Sequence, residues 1–253
     1  MSHEGQIGVF FDSGGFQLLG TLFLAKSDLP KATAVILHGL PGIEKNYDLA
    51  HLLRDRGWNS LIFHYRGCWG SAGSYNFATI LQDVLAAIDL LESGKHPQID
   101  PRKIFLIGHS LGGWAAILTA AVDKRPRGVA VYAAVSDPVR FNWIRTAAKE
   151  EILPWLPSLT EQTLLAQWDA LEASFHPLEQ VNRLSPRPLL IIHGAADNVV
   201  PLTQSEQLHI RAGSNSRLLI HPTANHSFTW HRPWLGEQIF AWLEEFELVG
   251  DKA

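Results

Sequence analysis

Short apolar runs separated by helical segments recur along the whole chain, and this alternation restricts the fold more than any other feature. The runs are Thr33–His38, Ser60–Tyr65, Ile104–Ile107, Val129–Ala134, Leu189–His193 and Arg217–Ile220. Their centres are continuously apolar, as expected of strands buried on both faces of a parallel sheet. Between them, Asn46–Arg56 reads as a helix closed by Gly57. Thr79–Ser93 carries apolar residues at 80, 81, 84, 85, 88 and 91, which is helical spacing. Leu111–Val122 and Glu237–Glu247 read as further helices. Thr79 with Gln82 and Thr203 with Glu206 fit capping boxes, and Gly213 fits a C-terminal stop. Upstream, Ile7–Phe11 and Gln17–Leu24 flank Asp12-Ser13-Gly14-Gly15, a hairpin signal. The expectation is an α/β fold with a mostly parallel sheet and helices on both faces.

One segment breaks the rhythm. Residues 138–184 lie between two strands and exceed what a crossover needs. This stretch holds Trp143, Trp155 and Trp168, and it reads as a helical cap over the carboxyl edge of the sheet, where open α/β sheets bind ligands. The three tryptophans are accordingly expected to contact substrate. The 253 residues otherwise fit one domain, 1–253.

A net charge of −4 with no block of like charge gives no field for nucleic acid or anionic membrane. No apolar run is long enough to span a bilayer. The single cysteine, Cys68, rules out an internal disulfide and agrees with a cytoplasmic location. The first ten residues lack the basic and apolar regions of a signal peptide. No HExxH, clustered Cys/His spacing, GxGxxG or GxxxxGK motif occurs, so neither metal nor other cofactor is expected.

The chemistry concentrates around IFLIGHSLGGW, residues 104–114, where a strand runs into G-x-S-x-G and then into a helix. A serine on such a strand-to-helix elbow takes a strained backbone, and side chains two positions either side of it would collide. Ser110 is therefore the candidate nucleophile, with Gly108 and Gly112 making room. A serine hydroxyl needs a base. Among 12 histidines, His226 in HPTANHSF follows the last strand and is selected by order and place; His221 and His231 are its rivals. Asp197 in IIHGAADNVVP stands after another strand and between Ser110 and His226, fitting the orienting acid; Asp137 in AVSDP is the runner-up. The oxyanion donors are expected to be the N–H of Leu111, at a helix start, and of Leu40 in HGLPG; Pro41 has none to give. Cys68 is expected to be packed, and Arg66 to form a structural ion pair.

Taken together, GHSLGG, HGLPG, HGAADNVVP and ANHSF stand in the order found in the α/β-hydrolase family, and the chain resembles that family from residue 7 to about 247. HYRGCWGSAGSY (64–75) is similar to its Tyr-Arg-Gly loop. NRLSPRPLLIIHGAADNVVP is similar to dienelactone-hydrolase-like and prolyl-oligopeptidase-like members. The resemblance implies an eight-stranded, mostly parallel sheet whose first strands are antiparallel, and cofactor-free hydrolysis through an acyl-enzyme. The expected activity is cleavage of a small or medium carboxylic ester. The alternatives are amide or short-peptide hydrolysis, a non-catalytic ligand receptor, and acyl transfer or perhydrolysis on the same fold.

Overall fold

The computed structural model describes residues 5–250. Its sheet has eight strands: β1 (Gly5–Ser13), β2 (Phe16–Leu24), β3 (Lys31–Leu37), β4 (Asn59–Phe63), β5 (Ile99–His109), β6 (Pro126–Tyr132), β7 (Leu189–Gly194) and β8 (Ser216–His221). Their spatial order is β1-β2-β4-β3-β5-β6-β7-β8. β1 and β2 pair antiparallel, as do β2 and β4; every later pair is parallel. The β1–β2 turn is two residues long, and Gly14 and Gly15 both have positive φ, 59° and 85°. Glycine reaches this region without a steric penalty, and such turns match the twist of a hairpin.

The apolar runs are continuous because both faces of the sheet are covered. Val35, Leu37, Leu106, Val129, Val131 and Ile191 pack into one core. Their immediate neighbours Ile36, Ile107, Ala130 and Ile192 pack into the other. The first core lies under α2 (Phe77–Glu92), α3 (Leu111–Val122) and α7 (Leu202–Ala212). The second lies under α1 (Tyr47–Asp55) and α8 (Arg232–Gly250). α3 is the most enclosed helix, with every residue but Val122 buried. Its Trp114 is fully buried, and a side chain of that class contributes upwards of about 2 kcal/mol.

Two capping expectations are corrected. α2 begins two residues before Thr79: Asn76 caps it by accepting from Ala78 N, and the Thr79 hydroxyl donates to Asn76 O instead of forming a box with Gln82. α7 begins after Pro201 with no side-chain cap, so Thr203 and Glu206 form no box. Gly213 does end α7, at φ 70°.

Between β6 and β7 the chain forms α4 (Trp143–Ala147), a π-helical turn over 148–152, a 3₁₀ turn over 153–155, α5 (Glu161–Ser174) and α6 (Pro177–Gln180). A capping box between Thr160 and Thr163 opens α5. Trp168 corrects the expectation of substrate contact. It is fully buried, edge-on to Phe77 at 5.3 Å and to Phe141 at 5.8 Å, and it fastens this segment to α2. Helical spacing alone does not say which neighbour a tryptophan faces.

Candidate active site

Ser110 sits between the last residue of β5 and the first of α3, with φ 54° and ψ −118°. Such a conformation in a non-glycine residue costs about 1–3 kcal/mol and persists only where its surroundings over-determine it. Here they do. Ser110 N donates to Tyr132 O at the end of β6, and Ser110 O accepts from Gly113 N, Trp114 N and Val135 N. The flanking glycines have no room for a side chain. A Cβ on Gly108 would lie 2.3 Å from Gly112 O, and one on Gly112 would lie 2.1 Å from Leu37 O. Gly39, in the loop after β3, approaches so closely that a Cβ there would be 2.9 Å from the Ser110 Cβ.

Asp197 lies in the loop after β7, its side chain fully buried. Oδ1 accepts from Val199 N at 2.8 Å and Val200 N at 2.9 Å. Oδ2 accepts from His226 Nδ1 at 2.9 Å and lies 3.3 Å from His193 Nε2. Burial opposes the charge, but the bonds from His193, His226 and Val200 outweigh it and hold the carboxyl well below its usual range. A carboxylate only accepts, so the His226 proton resides on Nδ1 and leaves Nε2 with its lone pair. The two loops meet because Gly194 has no side chain; a Cβ there would lie 2.1 Å from Ala224 O.

His109 supports the histidine loop from below. Its Nε2 donates to His226 O at 3.1 Å, and its ring stacks on Tyr132 at 4.7 Å. Burial, with the adjacent His226, drives its pKa well down, so it stays neutral. His193 is fully buried; its Nε2 also donates to Val200 O at 3.0 Å, and its Nδ1 accepts from Ser205 Oγ at 2.7 Å.

Ser110 and His226 line one cavity of about 680 Å³, together with Leu40, Trp143, Trp155 and Glu151. The N–H groups of Leu40 and Leu111 have no hydrogen-bond acceptor among the described residues. The rivals lie elsewhere. His221 and His231 face each other at 4.0 Å beside Trp234, and Asp137 caps a 3₁₀ turn and pairs with Arg140 at 3.4 Å. Cys68 is buried, and burial pushes its thiol up to about 12, so it stays protonated. Arg66 donates through Nε to Asp83 at 2.7 Å and through Nη2 to both Ser13 Oγ and Gln82 Oε1, a buried structural network.

His193 and Trp69 were not singled out by sequence. The signal for His193 was present, since it stands four residues before Asp197 on the strand that presents it. Trp69 offered none, because its partners are distant in the chain.

Strand order and the placement of the elbow define an α/β hydrolase. The sequence profile of the Prolyl oligopeptidase family (peptidase S9) matches residues 48–246, and the chain belongs to that family. It is 28% identical over 196 residues to the Escherichia coli O157:H7 protein named "Uncharacterized protein YfhR", covering 77% of this chain and 63% of that relative. The chain thus spans under two thirds of that relative's length. Among solved structures it resembles 2,6-dihydroxy-pseudo-oxynicotine hydrolase, with a TM-score of 0.80 and 19% identity over 98% of this chain and 69% of that one. It also resembles the esterase domain of a Rhodothermus marinus protein, with a TM-score of 0.70 and 25% identity over 94% of this chain and 97% of that one. Among the described residues no helix is long and apolar enough to cross a membrane, and no group of three or more His, Cys, Asp or Glu side chains is placed to hold a metal ion.

Proposed function

We propose that the protein is a serine hydrolase of small or medium carboxylic esters, working through Ser110, His226 and Asp197. The observation that carries this reading is the His226–Asp197 bond of 2.9 Å on a ring that shares its cavity with a serine held at φ 54°. Ser110 Oγ attacks the ester carbonyl as His226 Nε2 takes its proton. The carbonyl oxygen becomes an oxyanion held by the Leu40 and Leu111 N–H groups, the latter aided by the positive end of the α3 dipole. Collapse expels the alcohol, which receives the proton from His226. Water then repeats the sequence on the acyl-enzyme and releases the acid. Asp197 fixes the imidazole and stabilises its cationic form.

In this reading residues 138–184 form a cap within a single domain, and the cavity faces of Trp143 and Trp155 favour an apolar acyl or alcohol group. The family's name favours a second reading, cleavage of amides or short peptides, in which His226 must protonate a poorer leaving group. Matched p-nitrophenyl esters and p-nitroanilides of the same acyl groups separate the two. The ester reading predicts turnover of the esters with kcat/KM at least about a hundredfold higher than for the anilides. Turnover of anilides alone overturns it.

A further inference from the structure

The turn Gly39-Leu40-Pro41-Gly42 belongs to no helix or strand, yet it must hold Leu40 N–H still to serve an oxyanion. Two of its carbonyls are tied by side chains. His38 Nδ1 donates to Gly39 O at 2.8 Å, a bond local to the turn. Trp69 Nε1 donates to Pro41 O at 2.9 Å, a bond from a loop 28 residues away. Trp69 is itself held in a left-handed backbone conformation, φ 49°, and it packs so tightly that a Cβ on Gly42 would lie 2.7 Å from its Nε1.

The same indole carries three further partners, one of them His64, tilted against it at 6.5 Å. Lys45 Nζ sits 3.6 Å from its ring centre, which ties the distal end of the loop to it. Trp155, from the 3₁₀ turn in the 138–184 segment, stacks on it at 5.2 Å with 28° between the planes. Trp155 lines the catalytic cavity; Trp69 does not. A continuous chain of contacts therefore runs from the cavity wall at Trp155, through Trp69, to the carbonyl one residue beyond Leu40.

We propose that Trp69 is a positioning residue for the oxyanion-binding turn and couples it to the seating of the 138–184 segment against whatever fills the cavity. The inference rests on the reading of Leu40 N–H as an oxyanion donor. It assigns Trp69 an effect on the transition state rather than on ground-state binding, because its bond fixes the donor turn and its ring meets no substrate.

The test pairs two variants with two ligands. Trp69→Phe keeps a ring to stack and loses the Nε1–H. Trp155→Ala keeps that bond and loses the stack. An alkyl trifluoromethyl ketone accepts Ser110 Oγ at its carbonyl carbon, sends the serine proton to His226 and places an oxyanion on the turn. The corresponding alkanoic acid, the product, reports ground-state binding. Trp69→Phe is expected to lower kcat and weaken the ketone by about tenfold each, with KM and the affinity for the acid within about twofold. Trp155→Ala is expected to weaken the ketone more than it weakens the acid, and so reports the coupling even if Trp69→Phe fails to fold. Equal weakening of ketone and acid in either variant, or wild-type ketone affinity in Trp69→Phe, overturns the inference. A wild-type protein that neither hydrolyses esters nor binds the ketone overturns the hydrolase reading itself, which distinguishes the two failures.

Discussion

His193 Nε2 lies 3.3 Å from Asp197 Oδ2, the oxygen that also takes the His226 Nδ1 bond. One carboxylate oxygen is thus shared by two imidazoles, of which only His226 reaches the cavity. His193 Nε2 must carry its proton, since its other contact there is the Val200 carbonyl. His193→Ala removes a donor from the buried carboxylate and leaves Ser205 Oγ short of a partner. The expected result is a loss of about 1–3 kcal/mol in stability and a fall in kcat of about tenfold or more. His193→Gln, whose amide can still donate, is expected to recover part of the kcat loss. Steady-state kinetics beside urea unfolding check both.

Asp197 and Asp137 both follow strands, and their environments differ: Asp197 accepts from His226, Val199 and Val200, whereas Asp137 caps a 3₁₀ turn. Asp197→Asn removes the acceptor that fixes the His226 tautomer, and kcat is expected to fall by about 10⁴. Asp137→Asn disturbs only the cap of a 3₁₀ turn and a bond to Arg140, and kcat is expected to stay within about threefold. Ester hydrolysis by the two purified variants decides; a deep loss in Asp137→Asn alone would transfer the acid's role to that residue.

Acid sensitivity of the fold is written into its buried histidines. His38 and His64 lie 5.5 Å apart. Burial, and to a lesser degree Lys45, lowers His38 from 6.5 to about 4, while burial together with His38 and Lys45 lowers His64 from 6.5 to about 3. Both stay neutral in the folded chain at pH 5, whereas both protonate below 6.5 once unfolded. The unfolded state then binds more protons, so stability is full above pH 6.5 and is lost as pH falls towards 4. Each histidine contributes up to about 1.4 kcal/mol per pH unit in that window. His109, also pushed down by burial, acts in the same direction. Urea midpoints from pH 7 to 4.5 at constant salt are expected to fall, and less steeply in His64→Asn. A midpoint constant from pH 7 to 5 contradicts this assignment.

The elbow tolerates no added methyl group. In Gly112→Ala the new Cβ meets the Leu37 carbonyl at 2.1 Å, a backbone atom of a central strand that cannot yield. A destabilisation of at least about 2 kcal/mol is expected, with loss of activity in whatever protein still folds. Thermal unfolding of the variant measures it.

The strands and the elbow were legible in the sequence because burial on both faces writes continuous apolar runs, and because a serine at φ 54° demands glycines around it. Gly57 and Gly213 marked helix ends for the same steric reason, both having positive φ. Helix starts were less legible. Thr79 and Thr203 had the right residues three positions on, but the start of α2 was set by Asn76 and that of α7 by the extended Pro201. The tryptophans of residues 138–184 divided in a way that spacing does not reveal. Trp143 and Trp155 line the cavity, while Trp168 packs beneath it on Phe77 and Phe141. Trp69 and His193 make contacts to the 39–42 turn and to Asp197, relations that exist only once the chain has folded.

The most direct test of the account is mass spectrometry after treatment with a fluorophosphonate, which transfers its phosphonyl group to an activated serine oxygen as fluoride leaves. A single adduct on the peptide containing Ser110 is expected. In Ser110→Ala no adduct is expected, with ester kcat lowered by about 10⁶. Undiminished labelling of Ser110→Ala, or an adduct on another serine of the wild-type chain with Ser110 unmodified, would contradict it.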